Sequence, residues 1–362
     1  MTAITQPPGG ITNSLTAGRL PRWSPWALLG GSWAVLIVAF VFIAASTRSD
    51  FNIVGAVFFG TVFFDILIYW VSYLVEGIRK ARDRLVTSLV STAFVIALLP
   101  LISLVYTVVV DGWKRFDIQF FTYSMRNIVG EGGGALHAIV GTLEITGMAT
   151  LISVPVGLLA AIYLVEYGRG TLARAITFFV DVMTGIPSIV AGLFAFALFA
   201  LLFSDPGIRF GFGGAVALTL LMIPTVVRSS EEMLKLVPNE LREAAYALGV
   251  PKWLTIVKVV IPTSIAGITT GVTLAIARVI GETAPLLIIA GFTQSMNYDL
   301  FNGRMMALPL FVYTQYANPG TDVQAYLDRA WAAALTLILI VMALNLIARL
   351  VARIFSPKLG RR

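Results

Sequence analysis

Residues Leu241 to Pro262 read LREAAYALGVPKWLTIVKVVIP, a short charged segment that lies between long apolar runs. The acidic residues at its start and the strong helix formers that follow predict a short helix, with Asn239 as its capping residue. Gly249 supplies a C-terminal stop, and Pro251 prevents the helix from continuing. The segment therefore predicts a water-exposed helix, a turn, and a second helix that enters a membrane near Trp253.

The composition is that of an integral membrane protein. Of the 362 residues, 58% are hydrophobic and 12% are charged, whereas soluble domains carry about 25% charged residues. The mean hydropathy is +0.87. The chain has no cysteine, which excludes disulfides, thiol catalysis and cysteine-bound metal. The net charge of +7 does not indicate nucleic-acid binding, because the basic residues lie at the ends of apolar runs.

The length of the chain allows about eight spans, given about 20 residues for each, and eight apolar runs are candidates for them. They cover approximately residues 26–46, 51–73, 85–110, 134–165, 173–203, 212–227, 256–289 and 330–355. The fifth run is interrupted by Asp181, Gly185 and Pro187. Its first half therefore predicts an interfacial helix that leads into a span beginning near Pro187. The basic cluster at 79–84 is expected to separate the second run from the third.

Basic residues set the orientation of the chain. If both termini face the cytoplasm, most of the lysines and arginines between the runs lie on that side, as the positive-inside rule requires. Residues 1–25 then form a disordered cytoplasmic tail, residues 356–362 form a basic cytoplasmic tail, and the segment around Glu243 is cytoplasmic.

Sequence signatures of self-sufficient enzymes are missing. The chain contains no Gly-Lys dipeptide, which excludes a GxxxxGK[ST] phosphate loop, and it contains no HExxH motif. We therefore expect no metal site and no cofactor bound by this chain. The single histidine, His137, follows three glycines and is expected to be a solvated residue at a helix entry rather than a metal ligand.

Two charges lie within the seventh run, where RVIGETAP begins at Arg278. A charge at bilayer depth costs at least about 2.5 to 3.5 kcal/mol on insertion scales, so Arg278 and Glu282 are expected to face a polar interior or each other. Their spacing predicts one helical face, shared with Gly271, Ala275 and Gly281. An arginine can hold an oxyanion bidentately and stays charged. A transport pathway and a structural ion pair both remain open.

A substrate pathway through this run would include four polar residues: Arg278, Glu282, Thr283 and Glu144. Arg278 would attract an anion, while Glu282 would compete for the same guanidinium and keep the site weak enough to release its cargo. Glu144 lies toward the outer half of the fourth run. Asp65, in the second run, is expected to contact another helix or lipid headgroups rather than substrate.

Four phrases carry a family resemblance: GIPSIVAGLF at 185–194, EEMLKLVP at 231–238, EAAYALG at 243–249 and ARVIGETAPLL at 277–287. The EAA segment alone is similar to the coupling loop of ABC-importer permeases in general. Together the phrases closely resemble the PstA-type permease family of bacterial phosphate ABC importers, from about residue 85 to the C-terminus.

The resemblance implies an all-α integral membrane fold with a MetI-like permease domain over residues 79–355, built from about six core helices. Residues 26–78 look like an additional N-terminal transmembrane hairpin, which brings the total to about eight spans. The coupling helix lies near 239–250, and the resemblance implies that it docks on a separate ATPase through four residues: Glu243, Ala244, Ala245 and Gly249. Arg228 and Glu231 match a second charged pair beside the coupling loop, which we expect to be an ordinary interfacial pair; a role in gating or in subunit contact is the alternative.

The resemblance also implies partners in a bacterial plasma membrane. These are a homologous second permease (PstC-like), an ATPase dimer that binds ATP and Mg (PstB-like), an extracytoplasmic phosphate-binding protein (PstS-like) and the lipid bilayer, with no nucleic acid. Movement of the coupling helix is expected to turn the helix that carries Arg278. Glycines 267, 271 and 281 and Pro285 allow that helix either to bend or to pack closely on a neighbour.

Three functions remain open at this point. The first is ATP-driven import of inorganic phosphate through this subunit. The second keeps the architecture and changes the cargo to another oxyanion, such as sulfate or molybdate. The third is a channel or secondary transporter that works without an ATPase; the EAA segment argues against it, because a channel has no need of a docking helix.

Overall fold

The computed structural model describes Gly18, residues 20–47 and residues 50–355, and over these residues it contains helices and turns without a β-strand. Seven of the helices are long and apolar enough to cross a membrane, or eight if one sharply bent pair counts as a span. The all-helical membrane fold expected from the apolar runs is therefore confirmed. The predicted basic tail at 356–362 and most of the predicted tail at 1–25 lie outside the described residues.

The chain forms two compact units, Met1–Val105 and Tyr106–Arg362, so that the division falls inside a helix. The first unit contains α1 (Ser24–Thr47), α2 (Ile53–Glu76) and most of α3 (Ile78–Trp113). The helices α1 and α2 pack as a hairpin in which Trp33 Nε1 donates to Thr61 Oγ1 at 3.1 Å. The predicted domain boundary at 78/79 stays a prediction.

The third helix begins earlier than predicted. The basic cluster at 79–84 is not a separating loop, because it forms the first turns of α3. Gly77, with φ +86°, reverses the chain directly between α2 and α3, so that no loop is needed. Arg84 then pairs with Glu76 at 2.6 Å. Ser88 of α3 donates to Asp65 of α2, which confirms that Asp65 contacts another helix.

The second unit continues with a short α4 (Ile118–Thr122) and with α5 (Leu136–Ile162), which ends in a π-helical turn. The remaining elements are, in order, the first π-turn (Tyr163–Tyr167), α6 (Thr171–Thr184), α7 (Ser188–Phe203), α8 (Gly211–Lys235), α9 (Asn239–Ala247), α10 (Lys252–Thr255), the second π-turn (Ile256–Val260), α11 (Ile261–Val279), α12 (Ala284–Ile289), α13 (Leu308–Ala317) and α14 (Val323–Phe355).

The helix α8 is the centre of this unit, because α5, α7, α11 and α12 all pack on it. Small residues make this possible. A Cβ at Gly267 or at Gly271 of α11 would overlap the side chains of Met233 and Ser229 on α8. These two glycines therefore serve close helix packing, the second of the two roles that the sequence allowed, as is common where helices associate within membranes.

The fifth run folds as expected, with an abrupt turn in its middle. The helices α6 and α7 meet at 111° across Gly185 to Pro187. Pro187 precedes the first residue of α7 and has no N–H to offer to the helix before it. The helix α7 then brings Gly192 against Pro285 of α12, so that two of the family phrases, GIPSIVAGLF and ARVIGETAPLL, touch each other.

The seventh run is not one long helix. The helix α11 ends at Val279 and α12 begins at Ala284, with Gly281 and Glu282 between them outside any helix. Pro285 lies at the start of α12, where its missing N–H costs nothing, whereas in a continuous helix it would remove a hydrogen bond. On the other side, α10, the second π-turn and α11 follow one another without a break.

Gly192→Ala should destabilise the protein by about 1 to 3 kcal/mol, because overpacking a filled contact forces the backbone to shift. An added Cβ would lie 2.6 Å from Cα and 3.0 Å from the carbonyl oxygen of Pro285. The matched control is Gly147→Ala in α5, where a Cβ would meet nothing within 4 Å. The measurement is the midpoint of thermal unfolding in detergent. A midpoint for Gly192→Ala that equals that of the control would contradict this packing.

Candidate functional site

The two ends of the short helix α9 are capped differently. Asn239 is its first residue rather than its cap, so that expectation is wrong; the capping position is Pro238, and the Asn239 Oδ1 instead accepts a bond from Arg242 at 3.2 Å. The predicted stop at Gly249 is present. Its φ is +76° and its N–H donates to Tyr246 O at 2.9 Å. The N–H of the next residue, Val250, donates to Ala245 O at 3.1 Å. This is a Schellman motif, which needs a left-handed residue at that position.

Arg242 fastens α9 to two other helices. Its Nη1 donates to Val237 O at 2.6 Å and its Nη2 donates to Leu234 O at 3.0 Å, which satisfies carbonyls at the end of α8. The same guanidinium pairs with Glu166 at 2.9 Å, and the two side chains are only 12% and 5% exposed. Glu166 belongs to the first π-turn, so α9 is tied to the ends of both α8 and α5.

Lys252 adds a second tie between the same parts of the chain. Its Nζ donates to Glu166 O and lies 4.6 Å from the centre of the Tyr167 ring. Lys252 begins α10, which leads directly into α11. The first π-turn therefore contacts both the helix α9 and the residue at which the α11 segment starts.

The outer side of α9 is left bare. Glu243 and Ala244 are exposed, whereas Ala245 faces the protein and is buried. The apolar side chains around them are also exposed: Leu236 at 72%, Leu241 at 41%, Leu248 at 83% and Trp253 at 62%. Apolar patches with a polar rim mark protein interaction surfaces. The four predicted coupling residues thus lie on or beside one such surface, except that Ala245 supports it from behind.

Arg278 lies level with the middle of α8. The contacts of Gly267 with Met233 and of Gly271 with Ser229 set an antiparallel register, which continues to bring Arg278 level with Met222. Met222 and Val279 share one core cluster, in agreement with this register. The Arg278 side chain is exposed and has no ion pair among the described residues. An arginine at this depth carries a large cost unless something covers it.

The expected face shared by Arg278 and Glu282 does not exist. Glu282 follows the end of α11, so the two residues are not four apart on one helix, and no ion pair joins them in the part of the chain that is described. Gly271 and Ala275 point to the opposite side, where they are buried against α8. The helix ends here because Gly281 and the proline four residues later both weaken its continuation.

The other two predicted pathway residues, Thr283 and Glu144, are half-buried. Thr283 holds the capping position of α12, without a capping hydrogen bond from its side chain. Glu144 lies in α5, and its Oε2 is buried without a hydrogen-bond partner in the described structure. Among the described residues, no hydrogen bond or ion pair brings Glu144, Thr283 or Glu282 to Arg278. The pathway assignment of all four residues stays a prediction.

The second charged pair, Arg228 with Glu231, is present and belongs to a network of four charged residues. Arg228 Nη1 donates to Glu231 Oε2 at 2.9 Å, and Lys235 Nζ donates to Glu231 Oε1 at 2.7 Å. Arg228 also pairs with Asp181 of α6, which joins α6 to the second half of α8. The structure thus joins Arg228 and Glu231 in one ionic network with Lys235 of α8 and Asp181 of α6.

The single histidine is not solvated, which corrects the expectation for it. His137 is the second residue of α5 but is only 2% exposed, and its ring packs edge to face on Phe311 with centroids 5.5 Å apart. The glycine loop before it folds back on α4, with Ala135 N–H bonded to Phe120 O at 2.8 Å, and encloses the helix entry.

Sequence reasoning missed Glu166, Asp181 and Arg242 as parts of these networks. Glu166 and Asp181 lie near the ends of their helical segments and Arg242 lies inside α9, and each partner is at least 47 positions away or on another element. Charges beside apolar runs were counted only for orientation. The one available signal was that Glu166 and Asp181 are acidic residues at the end where basic residues accumulate.

These features define a multi-pass membrane permease: membrane-length helices around α8, an exposed short helix at one end, and an uncovered arginine level with the middle of α8. The model of the family described as "Binding-protein-dependent transport system inner membrane component" matches residues 153–361. Curated relatives of this chain are named phosphate transport system permease protein PstA, which narrows the family to phosphate permeases. The chain belongs to this PstA permease family, which confirms the resemblance read from the motifs.

One relative, PstA 1 of Mycobacterium tuberculosis (strain CDC 1551 / Oshkosh), is 48% identical over 276 residues, which cover 75% of this chain and 89% of the relative. PstA of Pasteurella multocida (strain Pm70) is 40% identical over 77% of this chain and 96% of that protein. A solved bacterial alginate ABC transporter, in complex with an alginate pentasaccharide-bound periplasmic protein, has the same fold. Its TM-score is 0.57 at 15% identity, over 77% of this chain and 97% of that one.

Glu166→Gln should destabilise the protein by about 3 kcal/mol, because it leaves the buried Arg242 guanidinium without its carboxylate. The exposed Glu243, which has no ion pair in the described structure, provides the control as Glu243→Gln. Thermal unfolding in detergent measures both. Because α9 loses one of its two anchors, protease cleavage at α9 should also become faster in Glu166→Gln. Equal unfolding midpoints for the two variants would show that the Arg242 to Glu166 pair contributes little.

Proposed function

We propose that this chain is the membrane permease subunit of an ATP-driven importer that carries inorganic phosphate across the bacterial plasma membrane. The observation that carries the proposal is Arg278, an uncovered cation level with the middle of α8, in a chain whose 40–48% identical relatives are named phosphate permeases. Guanidinium groups bind phosphate oxygens bidentately and keep their charge at any working pH.

Partners complete the transporter in this proposal. A homologous second permease covers the face where Arg278 is exposed, so that the arginine lines a pathway between two subunits rather than facing lipid. Two copies of a cytoplasmic ATPase dock on the bare surface of α9 and supply the ATP and Mg chemistry. An extracytoplasmic binding protein delivers phosphate at the other end. Both termini and α9 then face the cytoplasm, in keeping with the distribution of basic residues.

Movement of α9 would reach the pathway along two routes. Arg242 ties α9 to the ends of α8 and α5, and the chain itself leads from α9 through Lys252 into α11. When the ATPases close, α9 moves with them, and α5, α8 and α11 are pulled together. Packed helices shift as rigid bodies rather than deform, so a displacement at α9 turns the helix that bears Arg278.

Glu282 would then act from the turn between α11 and α12 instead of from the same helix face. A change in that turn brings its carboxylate toward the Arg278 guanidinium, where it competes with phosphate and favours release. A transport site has to bind well enough to admit its cargo and weakly enough to let it go. Thr283, beside it, offers a hydroxyl to the same anion. Glu144 of α5 would join the pathway nearer the Gly211 end of α8, since a Cβ at Gly214 would meet its neighbour Ile145.

Arg278→Gln should reduce ATP-driven phosphate uptake by at least about 100-fold, because losing a charge-assisted contact to a desolvated anion costs roughly 3 kcal/mol. The control is Arg126→Gln, an exposed arginine without an ion pair in the described residues. Uptake of labelled phosphate by reconstituted proteoliposomes is the measurement. Unchanged uptake in Arg278→Gln, or uptake of sulfate or molybdate with phosphate rejected, would contradict the proposal.

Glu243→Gln and Gly249→Ala should each uncouple ATP hydrolysis from uptake while the binding of phosphate at Arg278 stays intact. The first removes a charge from the bare surface; the second costs about 1 to 2 kcal/mol, because alanine is disfavoured in the left-handed conformation. Moles of phosphate imported per mole of ATP hydrolysed are compared with those of Glu131→Gln, an exposed glutamate far from α9 in sequence. Normal coupling in both variants would show that α9 is not the docking element.

A further inference from the structure

A cavity of about 420 Å³ lies at the end of α8 that is opposite to α9. Its walls include Leu193 and Phe196 of α7, Leu287 of α12, and two arginines, Arg209 and Arg304. The helix α8 has 25 residues and is therefore about 37 Å long, so the cavity and the proposed ATPase surface lie at opposite membrane faces.

Both arginines are held by the same helix end. Phe210, next to Arg209, donates its N–H to Ile289 O at 2.9 Å, and Met305, next to Arg304, donates its N–H to Ala290 O at 3.1 Å. Two separate loops are thus pinned to the last turn of α12. Functional groups fixed on rigid elements in this way keep their geometry without help from a ligand.

Gly291 allows the two side chains to converge. Its φ is +80°, and a Cβ there would lie 3.0 Å from Arg209 Cδ and 3.1 Å from Arg304 Cγ. The stems of both arginines therefore pass over the same glycine. Arg209 Nε donates to Ile288 O at 3.1 Å, which orients the guanidinium and leaves its two terminal nitrogens without a partner among the described residues.

No carboxylate in the described structure neutralises this pair. The acidic residues nearest in sequence accept backbone bonds instead, Asp205 from Gly207 N–H at 2.8 Å and Asp299 from Phe301 N–H at 2.9 Å. Two like charges beside an apolar wall repel each other more strongly than they would in open water. Capping the end of α12 requires only Arg209, so that role does not explain why Arg304 is there.

We propose that Arg209 and Arg304 form a second oxyanion site, which receives inorganic phosphate before it reaches Arg278. The inference rests on the proposed function and adds a step to it. Arg278 is level with Met222, about 17 Å along α8 from the cavity end at Gly211. The helix α12 spans part of this interval, since Leu287 lines the cavity and Thr283 lies close to Arg278 in the chain. An open cavity leaves the anion partly hydrated, so that binding is weak enough for onward transfer.

The test measures binding of labelled inorganic phosphate to the whole complex in phosphatidylcholine nanodiscs, without binding protein and without ATP. Arg304→Gln and Arg209→Gln should each weaken one component of the binding by about tenfold or more, as expected for the loss of one charged hydrogen-bonding partner. Arg126→Gln should leave it unchanged. The same component should persist in Arg278→Gln, because the two sites are separate.

Stability gives a second readout that a structural role would not produce. The Arg304 side chain makes no hydrogen bond in the described structure, so Arg304→Gln should raise the thermal unfolding midpoint when phosphate is absent, by removing repulsion. Phosphate should stabilise the wild type and stabilise Arg304→Gln much less. Gly291→Ala keeps both charges but separates them, and it should weaken phosphate binding as the arginine variants do. Wild-type binding in Arg209→Gln and Arg304→Gln overturns the inference.

A phospholipid headgroup offers the same phosphate chemistry, and a second arm of the experiment separates the two sources. Phosphatidylglycerol is added to the nanodiscs, and native mass spectrometry counts the lipids that stay bound. Lipid loss in Arg209→Gln and Arg304→Gln, with no effect on free phosphate, overturns the assignment to cargo. Uptake by the wild-type complex is measured in parallel: if it transports phosphate while the arginine variants bind normally, only this inference fails; if it transports none, the proposed function fails.

Discussion

The close approach of helices to α8 is the constraint on which the second unit depends. Within a membrane, lipid tails are as apolar as leucine side chains, so helices associate through tight packing rather than through the hydrophobic effect. Small residues supply that packing at several points of contact, as with Gly267 and Gly271 of α11 against α8. Because α11 is held at this distance, the level of Arg278 is fixed relative to α8, and α12 is directed toward the cavity with the two arginines.

The charged residues at the two ends of this bundle differ in whether they are paired with a residue of opposite charge. At the α9 end, Arg242 and Glu166 are paired and nearly buried, which makes a firm joint between three elements. At the opposite end, Arg209 and Arg304 are brought together with no carboxylate paired to them in the described part of the chain. Arg278, between them, is left uncovered. At the α9 end, which is proposed to move with the ATPases, the Arg242 charge is therefore neutralised by Glu166. The arginines proposed to bind phosphate remain unpaired in the described structure and can bind an anion.

The sequence was sufficient for the all-helical fold and for the C-terminal end of α9, and insufficient for the N-terminal cap of α9, for the break in the seventh run and for the pairings between helices. Apolar runs and the turn residues Gly249 and Pro187 act locally, so their effects could be predicted. The break between Val279 and Ala284 was missed because Gly281 and Pro285 were taken as bends in one helix, and the supposed common face of Arg278 and Glu282 was lost with it. Contacts such as Arg242 with Glu166 join residues that are 76 positions apart, and no local pattern reports them.

The second π-turn has a geometric consequence for Arg278. A π-turn holds one residue more than an α-helical turn, and one residue corresponds to about 100° of rotation around the helix axis. Every side chain beyond Val260 is therefore rotated by this amount relative to an uninterrupted helix that starts at Lys252. The direction in which Arg278 points is set some twenty residues away, by five residues next to α9. These five residues, Ile256–Val260, set the rotation of α11 about its own axis. A change from π-helical to α-helical winding there would point the Arg278 side chain in another direction while its backbone moves little.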